Sequence, residues 1–495
     1  MLDLWRYGRS PKQFKAEINK DDEVSLDNIK KYLGENADVV YKDIVINSET
    51  NMIMPLVYIE GLINTDLFDV SVLKPLKQEE KIKNSSTEAE LLENIVNNGV
   101  YHINSVAEND LTKIIEELFT GSVAIISDSE KKAVVFDIKG FQMRSMSEPS
   151  NEAVIKGAKE SFIEVLRMNT ARVRRYIRSI DLKIESMSVG KTSKIPTALI
   201  YMGSVVDSEL LNNIKKKIES IECDNLINIG EFEERILDKR FPFSIFPQTI
   251  VTERPDKFCS NIMEGKIGIL IDGLPTAIIL PAVLNMYFHS SDDYSHNYSI
   301  ATFIRILRYL CTIIALVLPA VYIAIVCYHQ ELLNNAIALS IIKSKQEVPL
   351  SSFQEILFLT LAFEVLLEAG IRLPKTIGQT VPIIGGLIIG DAAVSAKILS
   401  PIVVIVAAVT GIAGFMIPNQ DFLNSIRLCR YIFIAFAAWA GFFGLAVATI
   451  GFLYYLCSIE SFNVPYFVPF VSNDGKALFA DTLYRPSLQL KNNKE

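Results

Sequence analysis

Hydrophobic and polar positions change rhythm near residue 300. Before it, short apolar runs bounded by turn residues alternate with apolar positions three and four apart, the patterns of strands and amphipathic helices. After it, the apolar runs lengthen into spans broken by Pro, Gly and isolated charges. Two patterns ahead of residue 300 occur twice. LVYIEGLINTDL (56–67) aligns without gaps to LIYMGSVVDSEL (199–210), each reading as a buried strand, a short loop and a helix start. LTKIIEELFTGSVAIISD (111–128) aligns to PDKFCSNIMEGKIGILID (255–272), at nearly the same offset. Ile114, Ile115, Leu118 and Phe119 form one apolar helix face, and Gly121 and Gly265 stand where a C-cap glycine belongs. Strands then end at Asp128 and Asp272, followed by AVVFDI (133–138) and AIILPA (277–282). A duplicated α/β unit is expected.

The stretch 267–288 is apolar enough for a membrane helix, but Asp272-Gly273-Leu274-Pro275 interrupts it with turn chemistry. It reads as a hairpin of the second copy, with a broken membrane segment as the alternative. Between the copies, Arg172, Arg174, Arg175 and Arg178 crowd one helix-like stretch. Two readings stand: a solvated face, or a contact with acidic lipid headgroups or an acidic partner surface.

Beyond residue 300, 303–327 is the first span. Arg305 and Arg308 mark its N-terminal end as cytosolic by the positive-inside rule, and Pro319 predicts a kink. Segment 353–370 carries Glu355, Glu364 and Glu368, the last two sharing a face. It is either an interfacial helix with a wet acidic stripe or the lining of an aqueous path, with Glu364 the deepest carboxylate. Segment 371–401, dense in Gly and Pro, suits half-helices around a cavity. Gln379, Gly385, Gly386 and Gly390 join Glu364 and Glu368 as pore or gating candidates. A short span, 401–417, and a long one, 431–457, follow; Arg427 and Arg430 precede the long one.

Composition sharpens this division. Residues 301–470 hold 17 of the 106 charged side chains, and mean hydropathy is +0.27. The expected architecture is an α/β soluble region of two tandem similar subdomains followed by an all-α polytopic membrane domain. Its segments are an N-terminal extension (1–24), subdomains 25–145 and 146–285, the second including the Arg-rich linker helix, a membrane domain 286–470 and a polar tail 471–495. The net charge of −8 implies no affinity for nucleic acid. The first residues lack an apolar signal core, so the soluble region is expected in the cytosol. Six cysteines without CxxC spacing and four histidines without HExxH spacing imply neither metal nor cofactor. Walker A and GxSxG patterns are missing, so no enzyme is expected.

The strings FPQTIVTERPD, EGKIGILIDGLP, FIRILRYL, AFEVLLEAGIRLPKTIGQ, IIGGLIIGDAAV and FNVPYFVPF, with SEPSNEAVIKG in the linker, carry a resemblance. From about residue 25 to 475 the chain resembles the A subunit of spore germinant receptors, the GerA family. The resemblance implies the inner membrane of a dormant spore, with the N-terminal domain cytoplasmic. It implies a transporter-like B subunit that binds the nutrient, a lipoprotein C subunit, contact with membrane lipids, and a homo-oligomer that passes ions when nutrient is sensed. Lys397 and Ile398 ahead of Ser400-Pro401, Pro382 before the glycine run, and Ala158-Lys159-Glu160 depart from the family's pattern. They bear on gating set-point and ion preference rather than on membership. The related sporulation stage V AF-type protein shares the fold. A secondary transporter component and a non-conducting scaffold are the alternative functions.

Overall fold

The computed structural model describes residues 18–19, 21–47, 52–83, 85, 87–102, 104–140, 149, 152, 154, 156–222, 224, 228–237, 244–372, 386, 390–468 and 470. Its internal contacts divide the chain into two units. A sheet unit takes 1–242, 249–282 and 461–463; a helical unit takes 243–248, 283–460 and 464–495.

The sheet unit repeats one arrangement twice. The first copy runs α1 (Leu26–Leu33), β1 (Val39–Asn47), β2 (Met52–Ile59), short helical segments over 65–99, β3 (Ser105–Glu108), α2 (Leu111–Thr120), β4 (Val123–Ser127) and β5 (Lys132–Phe136). The second runs α3 (Leu166–Tyr176), β6 (Leu182–Val189), β7 (Ile195–Met202), α4 (Ser208–Glu219), α5 (Ile229–Ile236), β8 (Ile250–Thr252), α6 (Pro255–Met263), β9 (Ile267–Ile271) and β10 (Ala277–Leu280). Both sheets are antiparallel, ordered β1-β2-β4-β5-β3 and β6-β7-β9-β10-β8. Register repeats as well: Leu56 faces Ile125, and Leu199 faces Ile269. Alternate residues of the central strands enter two different cores. Leu56, Ile125, Val134 and Phe136 pack under the 65–99 segments, while Val57, Ala124, Ile126 and Val135 pack with α1 and α2. Burial on both faces explains why these strands read as continuous apolar runs.

The shared sequence features have shared jobs. Gly121 and Gly265 end α2 and α6 at φ +99° and +91°, and a Cβ on Gly121 would lie 2.7 Å from the Leu62 carbonyl oxygen. Asp128 Oδ1 accepts the Leu26 N–H at 2.8 Å, and Asp272 Oδ1 accepts the Leu166 N–H at 2.9 Å. The same turn of each copy thus caps the first turn of that copy's leading helix. The 272–275 turn joins β9 to β10, the hairpin reading of that apolar stretch. The second core also takes a residue from far along the chain. Phe462 packs with it, Lys217 Nζ lies 4.4 Å above the Phe462 ring, and Ser461 Oγ accepts the Ala282 N–H.

The helical unit contains α7 (Tyr298–Tyr328), α8 (Asn335–Lys345), α9 (Ser352–Arg372), α10 (Pro401–Gly414) and α11 (Gln420–Ser458). Among the described residues, α7 and α11 are long and apolar enough to cross a membrane, and α10 is apolar but shorter. Their outward positions are apolar too, including Phe303, Ile306, Leu310 and Ile313 on α7 and Trp439, Phe443 and Ile450 on α11.

α11 corrects the expectation of one long last span. Ala440 and Gly441 leave helical geometry, Gly441 at φ +56° and ψ −133°. The Phe433 and Phe452 rings lie 5.7 Å apart, and Phe422 and Tyr455 both contact Phe246. In a straight helix residues 422 and 455 would be about 50 Å apart. The chain therefore folds back at Gly441 into a helical hairpin, with arms about 30 Å and about 26 Å long at 1.5 Å per residue. The corner is closed by Tyr328, whose hydroxyl donates to the Ala438 and Trp439 carbonyls at 2.6 and 2.9 Å, groups that the break leaves without helical partners. The first arm runs alongside α7 in the same direction.

Arg305 and Arg308, at the N-terminal end of the first span, are buried. Arg308 forms a bidentate pair with buried Asp293, at 2.7 and 2.8 Å, and Arg305 Nε reaches the same carboxylate at 3.2 Å. One carboxylate thus partly neutralises two guanidinium groups inside the helical unit.

Candidate functional site

α9, α10 and the first arm of α11 enclose an open cavity of about 210 Å³ inside the helical unit. α9 presents Thr360, Phe363, Glu364 and Leu367; α10 presents Ala407, Ala408, Gly411 and Ile412; α11 presents Arg427 and Arg430. Glu364 and Thr360 share a face of α9 because they are four residues apart, and Arg427 and Arg430 share a face of α11 at a spacing of three. Thr360 Oγ1 donates to the Ile356 carbonyl of its own helix at 2.7 Å, a common way to bury a hydroxyl.

Glu364 faces Arg427, with 3.7 Å between Oε2 and Nη1, an ion pair longer than a hydrogen bond. The two side chains are 27% and 15% exposed, so solvent and protein share the screening. Arg430 is 6% exposed, and its Nε donates to the Ala315 carbonyl at 2.8 Å. That carbonyl is available for a reason written in the sequence. Its normal helical partner is the N–H of residue 319, and Pro319 has none. α7 continues through Pro319, and the carbonyl that the proline frees anchors Arg430. Among the described residues Arg430 has no carboxylate within ion-pair distance; its charged neighbours are Glu364 and Arg427.

The other sequence candidates scatter. Glu368 lies outside the cavity lining, 61% exposed, and pairs with Arg372 one turn on at 2.7 Å. Gln379 and Gly385 lie outside the described residues. A Cβ on Gly386 would meet the Phe363 ring at 3.7 Å, and one on Gly390 would meet Val404 at 3.6 Å, ordinary packing distances. Glu355 is fully buried: it accepts the Ser400 N–H at 2.7 Å and pairs with Lys345 at 3.2 Å.

Arg172, Arg174 and Arg175 sit on α3, between the two copies of the sheet unit, and Arg178 follows its end. Arg174 is fully buried and makes a bidentate bond to Asp38, 2.9 Å on each side, with further bonds to Asn36 Oδ1 and the Leu182 carbonyl. Arg172 donates to the Ser161 carbonyl at 2.6 Å, and burial pulls its guanidinium below the ordinary value while Glu160 opposes the shift. Arg175 pairs with Glu160. Of the four, Arg178 is the exposed one. Helix spacing alone could not reveal the burial of Arg174, because Asp38 and Asn36 come from the other copy.

Sequence reasoning also missed Arg427 and Arg430 as cavity residues, taking them as flanks of a span. Their i, i+3 spacing was the available signal. Among the described residues no three His, Cys, Asp or Glu side chains cluster in a way that could hold a metal ion.

Comparison with known proteins gives the context. A family model for the Bacillus/Clostridium GerA spore germination protein matches residues 27–495. Spore germination protein KA of Bacillus subtilis is 36% identical over 92% of this chain and 82% of its own length. Spore germination protein B1 of the same organism is 36% identical over 96% of this chain and 97% of its own length. The crystal structure of the N-terminal domain of the A subunit of the Bacillus megaterium spore germinant receptor GerK3 is 24% identical, covering 53% of this chain and 96% of that one, with a TM-score of 0.40.

Proposed function

Because the chain belongs to the GerA family of spore germination proteins, we propose that it is the A subunit of a nutrient-sensing germinant receptor and a non-enzymatic membrane signalling component. It works with a transporter-like B subunit, which binds the nutrient, and a lipoprotein C subunit, in the inner membrane of the spore. The helical unit crosses that membrane several times and, as a homo-oligomer, forms a gated ion path; the sheet unit is cytoplasmic. The α11 hairpin supports this reading, since each arm is close to the thickness of a hydrocarbon core.

The observation that carries the ion-path reading is Glu364, a carboxylate within an apolar helical unit, partly exposed and lining a cavity. An acidic group at such depth persists where it faces water, a cation or a partner, and rings of acidic groups lower the entry barrier for cations. Arg427 beside it marks a resting arrangement, in which an arginine holds the position that a passing cation would take. Glu368, Gln379, Gly385, Gly386 and Gly390 are the accompanying gating candidates. Conductance of the purified protein in planar bilayers, with Glu364→Gln and Glu364→Leu beside wild type, tests the reading. Both variants should assemble and change conductance, Leu more than Gln. Wild-type conductance in both makes Glu364 structural, and no conductance from any of them favours a scaffold.

A further inference from the structure

We propose that the cavity between α9, α10 and the first arm of α11 binds the phosphate group of an anionic lipid, held by Arg427 and Arg430 with its apolar part along Leu367 and Ile412. Charge is the first argument. Among the described residues the cavity lining carries two guanidinium groups and one carboxylate, so these are net positive inside a unit whose outward surface is apolar. An uncompensated charge at membrane depth is costly, and an anion in the cavity removes that cost.

Geometry is the second argument. Arg430 is 6% exposed, and its Nε is fixed by the carbonyl that Pro319 frees. Its remaining donors have no hydrogen-bond acceptor among the described residues. A guanidinium held in this way presents parallel donors that match phosphate oxygens better than they match a point anion. Arg427 Nη1 makes two long contacts, 3.7 Å to Glu364 and 3.4 Å to Asn424 Oδ1, and its other nitrogens can share a phosphate with Arg430.

Volume and lining are the third. About 210 Å³ is several times the ~30 Å³ that one water takes up in the liquid, enough for a phosphate and its adjoining methylenes. The apolar side chains beside the arginines offer nothing to free phosphate but would cover a glycerol backbone and the first acyl carbons. The inference rests on the helical unit lying in a membrane, but not on ion conduction.

The test uses the full-length chain in nanodiscs of phosphatidylcholine containing phosphatidylglycerol, re-extracted into detergent. Retained lipid is identified by mass spectrometry and counted as phosphorus per chain. Wild type should keep phosphatidylglycerol in preference to phosphatidylcholine. Arg430→Gln should lower that retention at least about tenfold, the loss of one charge-assisted contact. Gly411→Leu tests the same site with every charge intact. Gly411 lines the cavity and a Cβ there meets no atom within 4 Å, so the new side chain enters empty space and should exclude the lipid. Glu364→Gln should retain at least as much as wild type, because it removes the competing carboxylate. Equal retention in wild type, Arg430→Gln and Gly411→Leu overturns the proposal, as does equal retention of the two lipids. Displacement of the lipid by millimolar inorganic phosphate, with phosphate bound in its place, assigns the site to the free anion and also overturns it. Parallel conductance records separate the two readings: altered Glu364 conductance without selective lipid retention sinks this inference alone.

Discussion

Replacing Arg174 with methionine tests how the two copies of the sheet unit are held together. The substitution keeps an unbranched apolar stem but removes the guanidinium from a fully buried site. Asp38 then loses both charge-assisted bonds, each 2.9 Å, while remaining about 5% exposed. Asn36 Oδ1 loses one donor at 3.1 Å but keeps the Ile184 N–H, so its cost is smaller. The guanidinium's contact with the Phe119 ring, 5.4 Å away, disappears as well. Breaking a buried pair by removing one partner costs about 3–5 kcal/mol, mostly from the stranded charge. For a unit of this size, where each kcal/mol moves the midpoint by roughly 2–4 °C, that corresponds to a fall of about 6–20 °C. The assay is thermal unfolding of the full-length protein in detergent, followed by near-UV circular dichroism. Arg174→Met combined with Asp38→Leu leaves no stranded charge and should recover more than half of the loss, giving a large coupling energy in the double-mutant cycle. A loss below about 1 kcal/mol for the single variant, or a double variant as unstable as the sum of the two singles, would refute the reasoning.

Other features give sharper local expectations. Gly441→Val places a β-branched residue at φ +56°, with its Cβ 2.9 Å from Tyr328; cysteines introduced at 433 and 452 should cross-link readily in the parent and poorly in this variant. Tyr328→Phe removes the donor to the Ala438 and Trp439 carbonyls and should cost about 1–3 kcal/mol in the same melting assay. Asp128→Ala and Asp272→Ala each remove the capping acceptor of a leading helix and should cost about 1 kcal/mol apiece; a large difference between them would show that the two turns do not do equivalent work. A cysteine replacing exposed Ala89 should resist an impermeant thiol reagent in intact cells and react after permeabilisation, and labelling from outside would reverse the proposed side of the sheet unit.

The duplication was legible because its punctuation is chemical. A left-handed helix end demands glycine, so Gly121 and Gly265 survive as matching marks, and a turn aspartate that caps a helix leaves Asp128 and Asp272. The 267–281 hairpin was legible for the same reason, since Gly273 takes φ +85° in its turn. The α11 hairpin was not legible. An apolar helix that folds back has the same composition as one that continues, and one glycine among several in that stretch does not announce the break. The burial of Arg174 was equally hidden, because it depends on Asp38 and Asn36, more than 130 residues away. The cavity was half visible: Glu364 stood out as a charge in an apolar run, but its relation to Arg427 required the packing of α9 on α11. Pro319 was visible as a helix irregularity, but its effect falls on a carbonyl one turn back and on an arginine on another helix.

The insertion of Phe462 into the second core bears on biosynthesis. A ribosome delivers nearly all of the sheet unit first, then the whole helical stretch, and only afterwards the aromatic ring that fills this place. Until then the newly made second copy carries an apolar notch beside Lys217. Its completion is thus a late event in the life of the nascent chain, tied to synthesis of the last helix. A product cut short within α11 would keep that notch open, and the defect would lie in the sheet unit, where chaperones and proteases can read it.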